Sequence, residues 1–169
     1  MGVTANTKVA KRILDELLSR SEKLVFAESC TAGNVSAEFA KIPGASKCLC
    51  GSFVTYRPKM KRRVLGVKKA TIKKHTTESP QVAKQMALGA FEVSEADWAV
   101  SVVGHFGPGA PPEKDGKIWI AIAYWNNKGK LKCKSIELPL EQRTRIARCK
   151  EATGLVIDCL NEAVFGPTE

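Results

Sequence analysis

The chain has 169 residues, of which 44% are hydrophobic, and this length supports one compact domain with a sizeable core but hardly two. Its formal net charge of +10 invites a nucleic-acid partner, yet its basic clusters contain few aromatic residues that could stack on bases, so a solvated surface or the attraction of a small anionic nucleotide is favoured. No apolar run approaches the roughly 20 residues that cross a bilayer and no secretory signal is recognisable, so we expect a soluble, cytoplasmic protein without a membrane partner.

Hydrophobic periodicity predicts helices and strands that alternate along the chain. Predicted helices cover residues 9–18, a segment after Thr31, 82–91 and 145–164, and predicted strands cover 24–27, 52–55, 98–103, 118–125 and 132–138. Ser79 and Pro80 form a typical helix start, with serine as N-cap and proline in the first turn. Only residues 126–131 separate the last two predicted strands, which indicates an antiparallel pair around residues 126–129. The order predicts a single domain over residues 1–169, a three-layer α/β/α sandwich with a mixed, mostly parallel sheet.

The first candidate functional segment joins the strand at 24–27 to the helix after Thr31, and it reads FAESCTAG from residue 26. A tight strand-to-helix turn leaves backbone N–H groups without helical partners and presents the positive end of the helix dipole to an anion. Ser29 is a candidate nucleophile in such a turn. The alternative is that Ser29 or Thr31 serves only as the N-cap of the helix.

The second candidate segment follows another strand and reads GSFVTYRPKMK from residue 51. The two histidines of the chain form no recognisable triad pattern, so a lysine is the candidate base for a hydroxyl nucleophile. A free lysine has a pKa of about 10.4, so Lys61 can act as a base only if burial or the neighbouring cations Arg57, Lys59 and Arg62 lower that pKa. The alternative for this segment is a solvated basic loop.

Together the two segments resemble the C-terminal domain of the CinA family, the nicotinamide-nucleotide amidases. Family members carry an Ala-Glu-Ser-Cys-Thr-Gly-Gly segment and then a Gly-Phe-Val-Thr-Tyr segment with a lysine five residues after the tyrosine. The similarity continues through residues 65–67, 79–89, 104–109 and 116–119, and so covers nearly the whole chain. The resemblance implies hydrolysis of the carboxamide of nicotinamide mononucleotide to nicotinate mononucleotide and ammonia, without a metal or cofactor, in a homodimer. The second, pyrophosphatase domain that many members carry is not expected here, nor is its activity.

The resemblance also implies catalytic roles for three residues. Ser29 would attack the amide carbon, Lys61 would accept its proton, and Tyr56 would relay or orient that proton. An acyl-enzyme would form and water would resolve it.

Substrate binding is assigned by the same resemblance. Backbone N–H groups of the turn would stabilise an oxyanion or hold the phosphate, and the sequence leaves this choice open; the turn residues are Cys30, Thr31, Ala32 and Gly33. Gly104 is a further expected binding residue. Arg143 is expected to pair with the phosphate, with Arg145 as the alternative, because the local sequence LEQRTR lacks the Gly-Asp pair that precedes the family arginine.

Three positions depart from the family pattern. Val103 stands where members have Thr or Ser, and the lost hydroxyl could remove a hydrogen bond of about 0.5–1.5 kcal/mol. Ala32 stands where members have glycine and adds a methyl group near the ligand. His105 is unusual in its glycine-rich segment and either replaces the missing polar group or is a surface residue.

Six cysteines occur at positions 30, 48, 50, 133, 149 and 159 without CxxC spacing, so we expect reduced thiols and no metal site. Cys30 is a rival nucleophile, although the family pattern favours a packing role for it. Three other functions stay open: a nucleotide-binding relative without turnover, an amidase for a different small amide, and, less favoured, a basic nucleic-acid-associated module.

Overall fold

The computed structural model of the protein describes residues 5–107 and 109–166. Pro108, part of the family-like segment 104–109, lies outside the described residues, as do both ends of the predicted domain. The helices are α1 (Ala5–Ser19), α2 (Asn34–Ala40), α3 (Pro58–Leu65), α4 (Lys69–His75), α5 (Pro80–Glu92) and α6 (Arg145–Phe165), and a short 3-10 turn spans Ala45–Lys47. The strands are β1 (Leu24–Glu28), β2 (Leu49–Val54), β3 (Trp98–Gly104), β4 (Lys117–Trp125) and β5 (Leu131–Pro139).

The five strands form one sheet in the order β2-β1-β3-β4-β5. Strand β1 pairs in parallel with both β2 and β3, whereas β4 pairs antiparallel with both β3 and β5. The mixed sheet predicted from the sequence is confirmed, with parallel and antiparallel pairings equal in number. The antiparallel hairpin around residues 126–129 is confirmed as well.

Side chains that alternate along the central strands pack into two separate cores, one on each face of the sheet. Phe26 of β1 and Val100 of β3 pack with α1, α2 and α6 on one face, where the rings of Phe26 and Phe39 lie 5.1 Å apart. The next residues along these strands, Ala27 and Ser101, face the opposite layer, where α5 packs. Helices therefore cover both faces, as the three-layer prediction requires.

Each helix and strand predicted from the sequence is present, with ends displaced by no more than four residues. Ser79 is the N-cap of α5, because its hydroxyl accepts a hydrogen bond from the Val82 N–H. The alternative of a solvated basic loop is wrong for the end of the second candidate segment, because residues 58–61 belong to α3. The sequence predicted neither α3 nor α4. The many lysines and arginines of this region obscure its helical periodicity, because few positions are apolar. Leu65 and Ile72 are among the few apolar residues that pack these helices against the core.

Helix α3 approaches α5 closely at a glycine. A Cβ atom on Gly89 would lie 2.1 Å from the backbone oxygen of Leu65, so only glycine allows this contact. Leu65 is the last residue of α3, and the same helix carries Lys61. The position of Lys61 therefore depends on a close contact made one helical turn away.

Replacing Gly89 with alanine is expected to lower the free energy of unfolding by about 1–3 kcal/mol, because the added methyl group forces α3 away from α5. Urea unfolding followed by circular dichroism measures the change. Gly154→Ala is the matched control within a helix, since a Cβ atom there lies 3.4 Å from the nearest atom, and it is expected to be neutral or to stabilise by up to about 1 kcal/mol. Equal effects of the two substitutions would contradict the close contact.

Candidate active site

The two candidate segments meet at one edge of the sheet, where the parallel strands β1, β2 and β3 end. Ser29 follows β1, Tyr56 comes shortly after β2, and His105 follows β3. The Ser29 N–H donates to the Val102 carbonyl oxygen across 3.1 Å, which ties the turn after β1 to β3. Sites in open α/β sheets form at this edge, because loops from neighbouring strands converge there.

The central contact joins Ser29 and Lys61. The Nζ of Lys61 lies 2.5 Å from the Oγ of Ser29 and donates a second hydrogen bond to the Thr55 carbonyl oxygen at 3.1 Å. Ser29 is 6% exposed and Lys61 is fully buried. A neutral amine in this position can accept the serine proton, as a hydroxyl nucleophile requires.

Burial lowers the pKa of Lys61 to about 8, while the negative charges of Glu78 and of a Cys30 thiolate would act in the opposite direction. The expected contribution of Arg57, Lys59 and Arg62 is not among the causes, so that explanation is wrong. These three side chains extend into solvent, where water screens their charges. Lys61 thus loses its proton far closer to neutral pH than an ordinary lysine.

The turn that carries Ser29 is organised by the buried carboxylate of Glu28, which is 1% exposed. One carboxylate oxygen accepts hydrogen bonds from the Thr31 hydroxyl at 2.7 Å and from the Gly33 and Val35 N–H groups at 2.8 and 3.1 Å. The other oxygen accepts from the Ser36 N–H at 2.9 Å and the Ser52 hydroxyl at 3.2 Å. The start of α2 is therefore occupied by a carboxylate of the protein itself.

This arrangement restricts which backbone groups can bind an anion. The Gly33 N–H is taken by Glu28, and the Ala32 N–H donates to the Ser29 carbonyl oxygen at 3.2 Å. Within the described part of the chain, the N–H groups of Cys30 and Thr31 donate to no backbone carbonyl oxygen. The expectation of a four-residue anion site is thus reduced to two donors next to Ser29, and neither Ser29 nor Thr31 is the N-cap of α2, which is Gly33.

Cys30 is a poor nucleophile in this setting. Burial raises the pKa of its thiol to about 12, so the thiolate that would react is scarce at neutral pH. The packing role expected for this side chain agrees with its place in the core that includes Phe26.

Tyr56 lies at the mouth of the site, with 49% of its surface exposed. Its hydroxyl accepts a hydrogen bond from the guanidinium of Arg145, the first residue of α6. No hydrogen bond links Tyr56 to Ser29 or Lys61 among the described contacts. The structure therefore places Tyr56 with the arginine and not in the serine–lysine pair.

Three arginines line a cavity of about 520 Å³ beside this mouth, namely Arg143, Arg145 and Arg148. Arg148 is neutralised by the carboxylate of Asp115, which accepts from both of its terminal nitrogens at 2.6 and 3.1 Å. Arg145 donates to the Gly107 carbonyl oxygen at 3.2 Å and to Tyr56, which positions it next to the second candidate segment. The sequence left Arg143 and Arg145 open, and the contacts with Tyr56 and Gly107 favour Arg145.

The described residues contain no group of His, Cys, Asp or Glu side chains arranged to hold a metal ion. In the same part of the chain, no helix has the length and apolar character needed to cross a membrane.

Known proteins resemble this chain in sequence and in fold. A profile of the CinA C-terminal domain matches residues 6–162. The chain belongs to the CinA C-terminal domain family. A CinA-like protein from Prochlorococcus marinus subsp. pastoris is 42% identical over 113 residues, which is 66% of this chain and 26% of that protein. One from Petrotoga mobilis is 43% identical over 109 residues, 63% of this chain and 27% of that protein.

Solved structures show the same fold. The competence/damage inducible protein CihA from Agrobacterium tumefaciens superposes with a TM-score of 0.88 at 29% identity, covering 97% of this chain and 99% of that one. A CinA superfamily protein from Klebsiella pneumoniae reaches a TM-score of 0.83 at 23% identity, covering 95% of this chain and 98% of that chain, which supports the fold alone. This CinA domain matches only about a quarter of the length of the curated relatives described above.

The structure locates the three residues that depart from the family pattern in this CinA domain. Val103 is fully buried among the residues that pack against α5. Ala32 adopts a left-handed backbone conformation with φ of 52°, which is strained for alanine and free of strain for the glycine of the family. His105 is no isolated surface residue, because its Nε2 lies 3.1 Å from an Oε2 of Glu78.

Gly104 serves packing in this CinA domain. A Cβ atom there would lie 2.7 Å from both the Lys117 carbonyl oxygen and the Ile118 side chain. The close approach of strand β4 therefore requires glycine at position 104, whether or not a substrate also contacts this residue.

Three site residues were missed by sequence reasoning. Glu28 ends a buried apolar strand, and a carboxylate in such a place needs several donors, so this signal was available. Thr55 was visible only as part of a motif; its buried Oγ1 has no hydrogen-bond partner among the described residues, while its carbonyl oxygen accepts from Lys61. Glu78 gave no sequence signal, because its contact with His105 spans 27 residues of chain.

Replacing Glu78 with glutamine is expected to lower the pKa of Lys61 below about 8, since it removes a negative charge that favours the ammonium form. An NMR titration of the Lys61 side chain in lysine-labelled protein measures this pKa. Glu95→Gln is the control, because the Glu95 side chain is 89% exposed and pairs with Lys23. A pKa of Lys61 that is the same in both variants would refute the influence of Glu78.

Proposed function

We propose that this CinA domain hydrolyses the carboxamide of nicotinamide mononucleotide to nicotinate mononucleotide and ammonia, with Ser29 as nucleophile and Lys61 as base. The observation that carries the proposal is the 2.5 Å contact between Lys61 Nζ and Ser29 Oγ in a buried site. The substrate comes from the family resemblance.

The proposed reaction begins when Ser29 Oγ attacks the amide carbon and its proton passes to neutral Lys61. Negative charge on the amide oxygen is stabilised by the N–H groups of Cys30 and Thr31, which follow the nucleophile in sequence and donate to no backbone carbonyl oxygen. Lys61 then returns the proton to the departing nitrogen, and ammonia leaves an ester on Ser29. Water, deprotonated by Lys61, hydrolyses this ester and releases the carboxylate.

Binding of the nucleotide phosphate is assigned to Arg145. Its guanidinium is held at the site mouth by Tyr56 and Gly107, and a planar guanidinium suits phosphate oxygens. We therefore assign Tyr56 to substrate positioning rather than to a proton relay. The homodimer implied by the family remains part of this proposal.

Ser29→Ala and Lys61→Met are each expected to reduce ammonia release from nicotinamide mononucleotide by about 10³-fold or more, because each removes a reacting group. Cys30→Ala and Lys59→Met are the matched controls, since they change neighbouring residues whose side chains do not react. In the unmodified protein, kcat/KM is expected to rise with pH through about 8, because only neutral Lys61 accepts a proton. Release that survives Ser29→Ala would eliminate this nucleophile.

A second candidate function is nucleotide binding without turnover. It is favoured by Val103, which puts an apolar side chain where family members have a hydroxyl. Saturable binding of nicotinamide mononucleotide without ammonia release from the unmodified protein would establish this alternative.

Arg145→Gln is expected to reduce kcat/KM for nicotinamide mononucleotide by about tenfold, because a charged hydrogen bond to phosphate is lost. Hydrolysis of nicotinamide riboside, which lacks the phosphate, should change little. The comparison with Arg143→Gln decides between the two arginines: a larger loss in that variant would assign phosphate binding to Arg143.

A further inference from the structure

The positive charge of the protein is concentrated in one short segment. Residues 57–75 contain nine of the 27 Lys and Arg residues and none of the 17 Asp and Glu residues. This segment therefore accounts for nine of the ten net positive charges, and the rest of the chain is close to neutral. An even surplus of lysine would only aid solubility, whereas a concentrated one forms a local field.

The fold presents this charge outward. Helices α3 and α4 follow one another in the layer outside the sheet, both packing on α5, and their apolar residues face the core. Lys61 is the one basic residue of the segment that is buried. We call the others the basic surface, and all are exposed: Arg57, Lys59, Arg62, Arg63, Lys68, Lys69, Lys73 and Lys74.

These charges are not used within the chain. None of the eight side chains forms an ion pair with a carboxylate of the described residues, although Lys and Arg side chains elsewhere in that part of the molecule do. The nearest acidic residue in sequence, Glu78, is engaged with His105. The basic surface is thus available to an external anion with many charges.

We propose that the basic surface binds the phosphodiester backbone of double-stranded nucleic acid, independently of sequence. Residues 57–75 include no Phe, Tyr or Trp, so the segment offers no platform on which unpaired bases could stack. Backbone contacts by Lys and Arg need no such platform and suit a duplex, whose phosphates are dense and regular.

An acidic membrane is a poorer fit. A helix that lies on a membrane inserts an apolar face among the lipids. The apolar residues of α3 and α4, including Leu65 and Ile72, are packed against α5 and the core, and Met60 is the only large apolar side chain of the segment that is substantially exposed.

The proposal reverses a judgement made from the sequence, which disfavoured a nucleic-acid partner. That judgement rested on the scarcity of aromatic residues in the basic clusters, which matters for stacking on unpaired bases and not for contacts with duplex phosphates. Helices α3 and α4, with Arg57 and Lys68 immediately before them, hold eight cations in one layer.

The test is fluorescence anisotropy with a labelled DNA duplex of about 20 base pairs at salt concentrations from about 50 to 200 mM. Two quadruple variants are compared. The first removes four charges from the basic surface and carries Arg62→Gln, Arg63→Gln, Lys73→Gln and Lys74→Gln. The control removes four charges from exposed positions elsewhere and carries Lys47→Gln, Lys128→Gln, Lys130→Gln and Lys132→Gln. We expect the first variant to lose affinity at least about tenfold and to reduce the slope of log affinity against log salt by about 0.9 for each lost phosphate contact. The control should keep both values, and thermal unfolding checks that both variants are folded.

Several outcomes would overturn the proposal. Equal losses in the two variants would mean that the duplex responds only to net charge. Binding to phosphatidylserine vesicles without binding to the duplex would assign the surface to membranes. A fall in kcat/KM for an anionic nucleotide without duplex binding would make the surface a guide for substrate. Because none of the substituted residues belongs to the serine–lysine site, failure here leaves the amidase proposal untouched.

Discussion

The buried carboxylate of Glu28 is the interaction on which the site depends. It accepts five hydrogen bonds, three from backbone N–H groups at the start of α2 and two from hydroxyl groups. Removing a carboxylate from water is unfavourable by several kcal/mol unless such donors replace the water. The same bonds determine the path of the turn, and so they decide where Ser29 lies and which N–H groups beside it remain free.

Lys61 poses the opposite problem, because it is buried without a carboxylate bonded to it. Lowering its pKa from 10.5 to about 8 corresponds to a difference on the order of 3 kcal/mol between its two protonation states. Two acceptors, Ser29 Oγ and the Thr55 carbonyl oxygen, offset part of the desolvation. The remaining desolvation cost is offset by the packing of α3, because the contact of this helix with Gly89 keeps Lys61 buried. A reactive group is thus maintained at the expense of local stability, as is common in active sites.

The sequence predicted the three-layer fold because the strands and the larger helices carry clear apolar periodicity. It failed at α3 and α4, where apolar positions are too few to stand out among lysines and arginines. For the site, motifs identified Ser29 and Lys61, but their contact spans 32 residues of chain and only the fold can bring them together. The sequence left burial and charged neighbours open as causes of the lowered Lys61 pKa for the same reason, since burial depends on tertiary packing whereas charged neighbours can be read along the chain. Arg145 could not be separated from Arg143 until the start of α6 was known.

The family departures are tolerated because the surrounding structure fixes the turn more strongly than they disturb it. A left-handed alanine such as Ala32 costs about 1–2 kcal/mol, and its side chain is exposed, so burial offsets little of this cost. Each hydrogen bond to a charged group contributes about 1.5–3 kcal/mol, and Glu28 makes two of these to the residues on either side of Ala32, at Thr31 and Gly33. The strained residue is therefore held between two anchored neighbours, and the N–H groups before it keep their direction. By this reasoning the methyl group of Ala32 affects stability more than chemistry. Val103 is buried in the core that packs against α5, at a position where family members carry a hydroxyl, and we expect it to be the departure that bears on reactivity.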